Sequence, residues 1–175
     1  MTSAFIIYAS TAAADMHHLI PHDVHDPFMY IHTEAGDDYV ACSTLESARM
    51  REVPGVTIMP LESLGFDEFK ASEPDETTAE LDCYAEALRR TGVTKALIPP
   101  TFPTQAADFL RAKGLKLTVD EKFFSDARRC KTDSELESIM RAQKAAEEAT
   151  AYVSDALYRA DVAEDGGLML DGEPL

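Results

Sequence analysis

The densest store of reactive side chains in this chain is a short polar segment near its start, Asp15-Met16-His17-His18-Leu19-Ile20-Pro21-His22-Asp23-Val24-His25-Asp26. Of the five histidines in the sequence, His17, His18, His22 and His25 fall inside it. Imidazole nitrogens and carboxylate oxygens are good ligands for zinc, nickel or copper. Pro21 interrupts any continuous helix, so nothing local holds His18 and His22 on one face. Two readings stay open: a loop that binds a metal ion, and a polar loop whose imidazoles hydrogen-bond to near neighbours.

The rest of the sequence is poor in catalytic spacings. It holds no His-Glu-x-x-His, no phosphate loop, no dinucleotide glycine fingerprint and no nucleophile elbow. Ser10, Ser43 and Ser47 have no His-plus-carboxylate partnership. Cys42, Cys83 and Cys130 are odd in number and far apart, which makes neither a disulfide framework nor a zinc-ligand pattern. A reducing cytoplasm is the simplest home for them. Cys42 lies in a predicted strand and reads as core. Glu46 and Arg49 read as a solvated helix pair, and the acidic run from Glu73 to Glu76 as a wet loop.

Composition excludes some classes of function. The 175 residues include 16 Lys+Arg against 32 Asp+Glu, a formal net charge of −16. Such a chain repels phosphate backbones and anionic membrane surfaces. The acidity fits solubility or a salty habitat and says little about substrate. Apolar residues make up 45%, enough for a real core. No run is long and apolar enough for a membrane span. Met1-Thr2-Ser3 enters a strand-like stretch without a basic lead, which argues against a secretory signal.

The elements that must position any chemistry alternate in type. Ala4 to Ala9 is a buried strand by its β-forming apolar run. Ser10 to Asp26 is turn-like. Phe28 to Thr33 and Tyr39 to Ser43 form a hairpin around Ala35-Gly36-Asp37-Asp38. Thr44 to Val53 is a short helix with Leu45, Ala48 and Met50 inward, stopped by Pro54-Gly55. Val56 to Leu61 is a strand, and Ala71 to Thr77 a loop. Thr78 to Thr91 is a helix with Leu81, Tyr84, Ala85 and Leu88 on one face, closed by Gly92. Lys95 to Ile98 is a short buried strand. Pro103 to Lys113 is a helix closed by Gly114, and Leu115 to Val119 a half-buried strand. This alternation specifies an α/β domain whose mixed β-sheet is flanked by helices, the hairpin excluding a purely parallel sheet.

A long helix follows. Thr132 and Glu135 have the spacing of a capping box. Leu136, Ile139, Met140, Ala146, Ala149, Val153, Ala156 and Leu157 then mark one stripe. The run Arg128, Lys131, Thr132, Glu135, Leu136, Ile139, Arg141, Ala142 resembles the interdomain junction of the creatinase, prolidase and aminopeptidase P family, the Xaa-Pro metallopeptidases of pita-bread fold. The spacing slips by one near Met140 relative to some members. The element order from about Phe5 to Ala163 is similar to that family's N-terminal domain, with its ribonuclease-H-like strand arrangement. Asp15-Met16, Asp26-Pro27-Phe28 and Leu45 to Arg49 sit where the family often has comparable words.

The resemblance implies a domain at 1–127, and at 128–175 a linker helix with the start of a catalytic domain. It implies a non-catalytic role for this stretch, serving oligomerisation and active-site access in a homodimeric, cytoplasmic enzyme. Catalysis would use two divalent ions (Mn, Co or Zn) held by a domain after Leu175, so peptide substrate would meet only the whole enzyme. In relatives the loop after the first strand approaches a neighbouring subunit's active-site mouth and is often aromatic. Here His17, His18, His22 and His25 would shape substrate access there. The alternative is a stand-alone metal-binding or interaction module using residues 17–25, or a helix stripe that pairs with another copy. The abrupt Gly172-Glu173-Pro174-Leu175 end is that expected of a cut chain.

Overall fold

The computed structural model describes residues 3–72 and 75–175. The chain divides into two compact units, Met1–Cys130 and Lys131–Leu175.

The first unit is built on a six-stranded sheet in the order β4-β3-β2-β1-β5-β6. The strands are β1 (Phe5–Ala9), β2 (Phe28–His32), β3 (Asp38–Cys42), β4 (Val56–Pro60), β5 (Lys95–Ile98) and β6 (Lys116–Val119). Pairs β1–β2 and β2–β3 are antiparallel; β3–β4, β1–β5 and β5–β6 are parallel. The sheet is therefore mixed, as the hairpin required.

Alternation along each strand sends side chains to two separate cores. Ile6, Met29, Ile31 and Ala41 meet Leu81, Tyr84 and Leu88 of α4 (Glu76–Arg90) and Ala106 and Leu110 of α5 (Thr104–Ala112). Ile7, Phe28, Tyr30 and Val40 meet Met16 of α1 (Ala14–Leu19), Met50 of α2 (Thr44–Met50) and Phe124 of α6 (Glu121–Ala127). Central β1 must feed both layers, which is why it is apolar at successive positions. Each fully buried Ile or Leu among these is worth about 1.5–3 kcal/mol of apolar transfer.

Caps explain where several helices begin. Asp75 accepts from Thr78 N–H at 2.9 Å, so α4 starts at Glu76, two residues before the expected start at Thr78. Asp120 accepts from Phe123 N–H at 2.9 Å and opens α6, a helix the apolar pattern did not announce because it buries one residue, Phe124.

Other expectations are corrected. The turn-like 10–26 stretch contains α1. In α2, Leu45 is 91% exposed and Ala48 is exposed; Ser47 and Met50 are the inward positions. A polar residue could take the inner face because Ser47 Oγ donates to the Ser43 carbonyl at 3.1 Å. Residues 71–72 end α3 (Phe66–Ser72) rather than a loop. Gly65 at φ 101 closes a 3-10 turn, Leu61–Leu64, and lets α3 turn Phe66 and Phe69 onto the core. Residues 73–74 of the expected acidic loop lie outside the described residues. Strand β6 is an edge strand, with Val119 54% exposed rather than half-buried.

The second unit is α7 (Asp133–Arg159), then β7 (Asp161–Val162), β8 (Leu168–Leu170) and β9 (Glu173–Pro174) in one small antiparallel sheet. The capping box forms: Glu135 N–H donates to Thr132 Oγ1 at 3.3 Å, and Thr132 N–H to Glu135 Oε2 at 2.8 Å. Arg159 Nη2 donates to Asp171 Oδ2 at 3.0 Å, tying the helix end to the β8–β9 turn. Along the stripe, Leu136, Ile139, Met140, Val153 and Leu157 stand exposed, and Ala156 is buried.

Candidate functional site

Strands β1 and β5 are parallel neighbours, with Phe5 opposite Leu97. After β1 the chain turns to the face of α1; after β5 it turns to the opposite face, that of α5. Parallel neighbours whose continuations leave on opposite faces form a switch point, and open α/β sheets characteristically bind ligands outside the carboxyl ends of such strands. The histidine segment follows β1, so topology brings it to this end of the sheet.

Local anchoring holds the segment there. Met16, Ile20 and Val24 are almost fully buried. Val24 N–H donates to Thr11 Oγ1 at 2.8 Å, and Thr11 N–H to the Val24 carbonyl at 3.1 Å, closing the loop on itself. Arg49 Nη1 donates to the Asp23 carbonyl at 2.8 Å. Arg128 Nε donates to Asp15 Oδ1 at 2.5 Å across the fold. The apolar residues point in, and the histidines point out: His17 and His25 are exposed, His18 and His22 half-buried. His17 and His18 lie in the last turn of α1, while His22 and His25 follow in the loop. Among the described residues no three His, Cys, Asp or Glu side chains are placed to hold a metal ion. The four imidazoles thus lie along one anchored segment at the surface, not gathered on a centre among the described residues.

A residue the sequence pattern left out adds to the site. Glu80, on α4, is half-buried, and its carboxyl is raised above the usual range, first by burial, then by the negative charges of Glu76 and Asp26. Asp26 is the last residue of the histidine segment. Tyr8, near the end of β1, has its hydroxyl raised by burial and then by Glu80. Its ring packs on Tyr84 at 5.1 Å and on Phe102, in the loop after β5, at 6.3 Å. Perturbed acids cluster at functional sites. The sequence carried one signal for it: Glu80 stands four residues before Tyr84, on the edge of the buried stripe of α4.

The fifth histidine is elsewhere. His32 pairs with Phe5, at the opposite end of β1 from the switch point. Its Nδ1 lies 2.7 Å from Asp38 Oδ1, Phe5 stacks on its ring at 4.8 Å, and Nε2 is buried without a hydrogen-bond partner. The Tyr30 hydroxyl is raised far above its usual value by burial, and further by its hydrogen bond to Asp38. A groove of about 360 Å³ lies between α4 and the α5–β6 connection, floored by Phe69, Ala85, Val93 and Leu115. Its rim charges are spent on one another, Lys113 on Asp82 at 2.6 Å and Arg89 on Glu86 at 2.6 Å. The switch-point end of the sheet, with the raised Glu80 carboxyl and the histidine segment, is the better candidate despite the groove's volume.

No family model matches the sequence, and no curated protein matches it. Solved structures do. The chain superposes on a dipeptidase from Pyrococcus horikoshii OT3 with a TM-score of 0.61 and 14% identity, over 87% of this chain and 40% of that one. An XXA-pro aminopeptidase from Streptococcus pyogenes matches with a TM-score of 0.49 and 12% identity, over 71% of this chain and 83% of that one. The chain therefore spans 40% of the dipeptidase's length. The resemblance read from the Arg128 to Ala142 junction and the element order holds at the level of fold: this α/β chain has the architecture found in part of that dipeptidase.

Proposed function

We propose that this chain is a non-catalytic domain of an Xaa-Pro dipeptidase- or aminopeptidase P-like metallopeptidase, serving oligomerisation and active-site access. The observation that carries the reading is the fold shared with part of a dipeptidase. On this reading the whole enzyme is cytoplasmic and homodimeric and cleaves the bond before proline. Two divalent ions (Mn, Co or Zn), held outside this chain, would supply a nucleophilic hydroxide. His17, His18, His22 and His25 line the approach to a neighbouring subunit's site.

The test is direct. Purified chain incubated with Mn²⁺, Co²⁺ or Zn²⁺ and an Xaa-Pro dipeptide should release no proline. Release that copurifies with the chain through successive columns would overturn the reading. Light scattering should give twice the monomer mass, and a monomer at working concentrations removes the oligomerisation role. Titration with Zn²⁺ should show no saturable heat; stoichiometric binding lost on replacing the four histidines by Ala would make the chain a metal-binding module instead.

A further inference from the structure

Arg128 was singled out by its place in the junction sequence, but the junction does not explain its contact. Its guanidinium reaches back 113 positions to Asp15 in the first turn of α1, at 2.5 Å. The pair is sheltered, with Asp15 12% and Arg128 36% exposed, unlike the wet Arg89–Glu86 and Lys122–Asp126 pairs. Helix α1 has six residues. A helix so short does not hold itself together in water, so its placement depends on tertiary contacts. Buried Met16 and Ile20, the Thr11–Val24 loop closure and this ion pair all serve it. The ion pair joins α1 to the end of α6, where Arg128 is the C-cap residue, four positions before the Thr132 cap of α7, and it adds to the core that Met16 shares with Phe124.

We propose that Arg128 is a positioning residue for the histidine segment. Clamped on Asp15, it makes the placement of α1 depend on the geometry of the point where the chain leaves the first unit. A displacement of residues 129–131 acts first on Arg128 and through it on the helix that carries His17 and His18. The inference gives the histidine segment, in its proposed access role, its regulation; the clamp itself can be tested whether or not the chain belongs to a peptidase.

Amide hydrogen exchange on the intact chain decides it. His17 N–H donates to the Ala13 carbonyl and Ile20 N–H to the Met16 carbonyl, both at 2.9 Å, and these two amides report on α1. Amides of Ile6 and Ile31 in the central ladder report on the core. In Asp15→Asn and in Arg128→Met, exchange at His17 and Ile20 should quicken about tenfold or more while the ladder is unchanged, the signature of local opening. The exchanged pair Asp15→Arg/Arg128→Asp should restore protection at least in part. Unchanged exchange at α1, or an equal rise at Ile6 and Ile31, would show an ordinary stabilising contact and overturn the proposal. If the doubly exchanged chain fails to fold, Arg128→Lys decides in its place: intermediate protection supports the clamp, and wild-type or fully lost protection rejects it.

Discussion

The two units differ in how their apolar residues are used. In the first, successive residues of β1 serve two separate cores, and Ile6 and Ile7 are 0% and 1% exposed. In the second, α7 carries an equally regular stripe, yet Ile139 and Leu157 are each 51% exposed. A capping box and a small sheet give that unit its shape, and caps act over single turns. Periodicity therefore specifies a helix in both units, but only the first shows what the periodicity is for.

Substitutions can break this contrast. The largest effect should come from the double core: Ile6→Ala or Leu88→Ala should lower the unfolding free energy by about 2–5 kcal/mol in urea titrations. Next, Thr132→Ala should remove about 1 kcal/mol from the start of α7. It should be read as faster exchange at Leu136 N–H, which donates to the Thr132 carbonyl, with the first unit untouched. Loss of the whole fold would mean that the units do not differ as described.

A smaller effect is expected from the surface acid Glu86. Its carboxyl is held down at about 2, below the ordinary 4.5, first by the Arg89 hydrogen bond and then by that of Arg90. A depressed carboxyl stabilises the folded state above its ordinary value and loses that contribution as pH falls through its folded value. Thermal midpoints should therefore fall between about pH 4.5 and 2, and Glu86→Gln should flatten that decline. An unaltered acid limb would remove Glu86 from the account. The smallest effect should be that of Ile139→Ala or Leu157→Ala, within about 0.5 kcal/mol for side chains already in water. A cost rivalling that of Ile6→Ala would show the stripe to be covered in solution.

The legibility of the candidate site followed the range of the forces that make it. The histidine segment stood out because four imidazoles in one stretch are visible as types and spacing. Its helix did not, because α1 has no side-chain cap and buries one residue, Met16, within its span. Glu80 was hidden because its carboxyl is raised first by burial, which tertiary packing sets, and then by Glu76 on its own helix and by Asp26, remote in sequence. Leu45 and Ser47 exchanged their expected places because a serine that bonds its own helix's carbonyl can occupy an inner face.

Local features were readable from the residues alone: the strand runs, the hairpin, the apolar face of α4 and the Thr132–Glu135 capping box. Each depends on residues within a few positions of one another, where propensity, periodicity and caps act. Tertiary structure decided the rest. It set β1 beside β5, sent their continuations to opposite faces, and so placed the histidine segment at a switch point of the sheet. It also brought Arg128 onto Asp15. Those pairings join residues far apart in the chain, and they are fixed by which faces must be buried together, a choice that exists only once the whole sheet has formed.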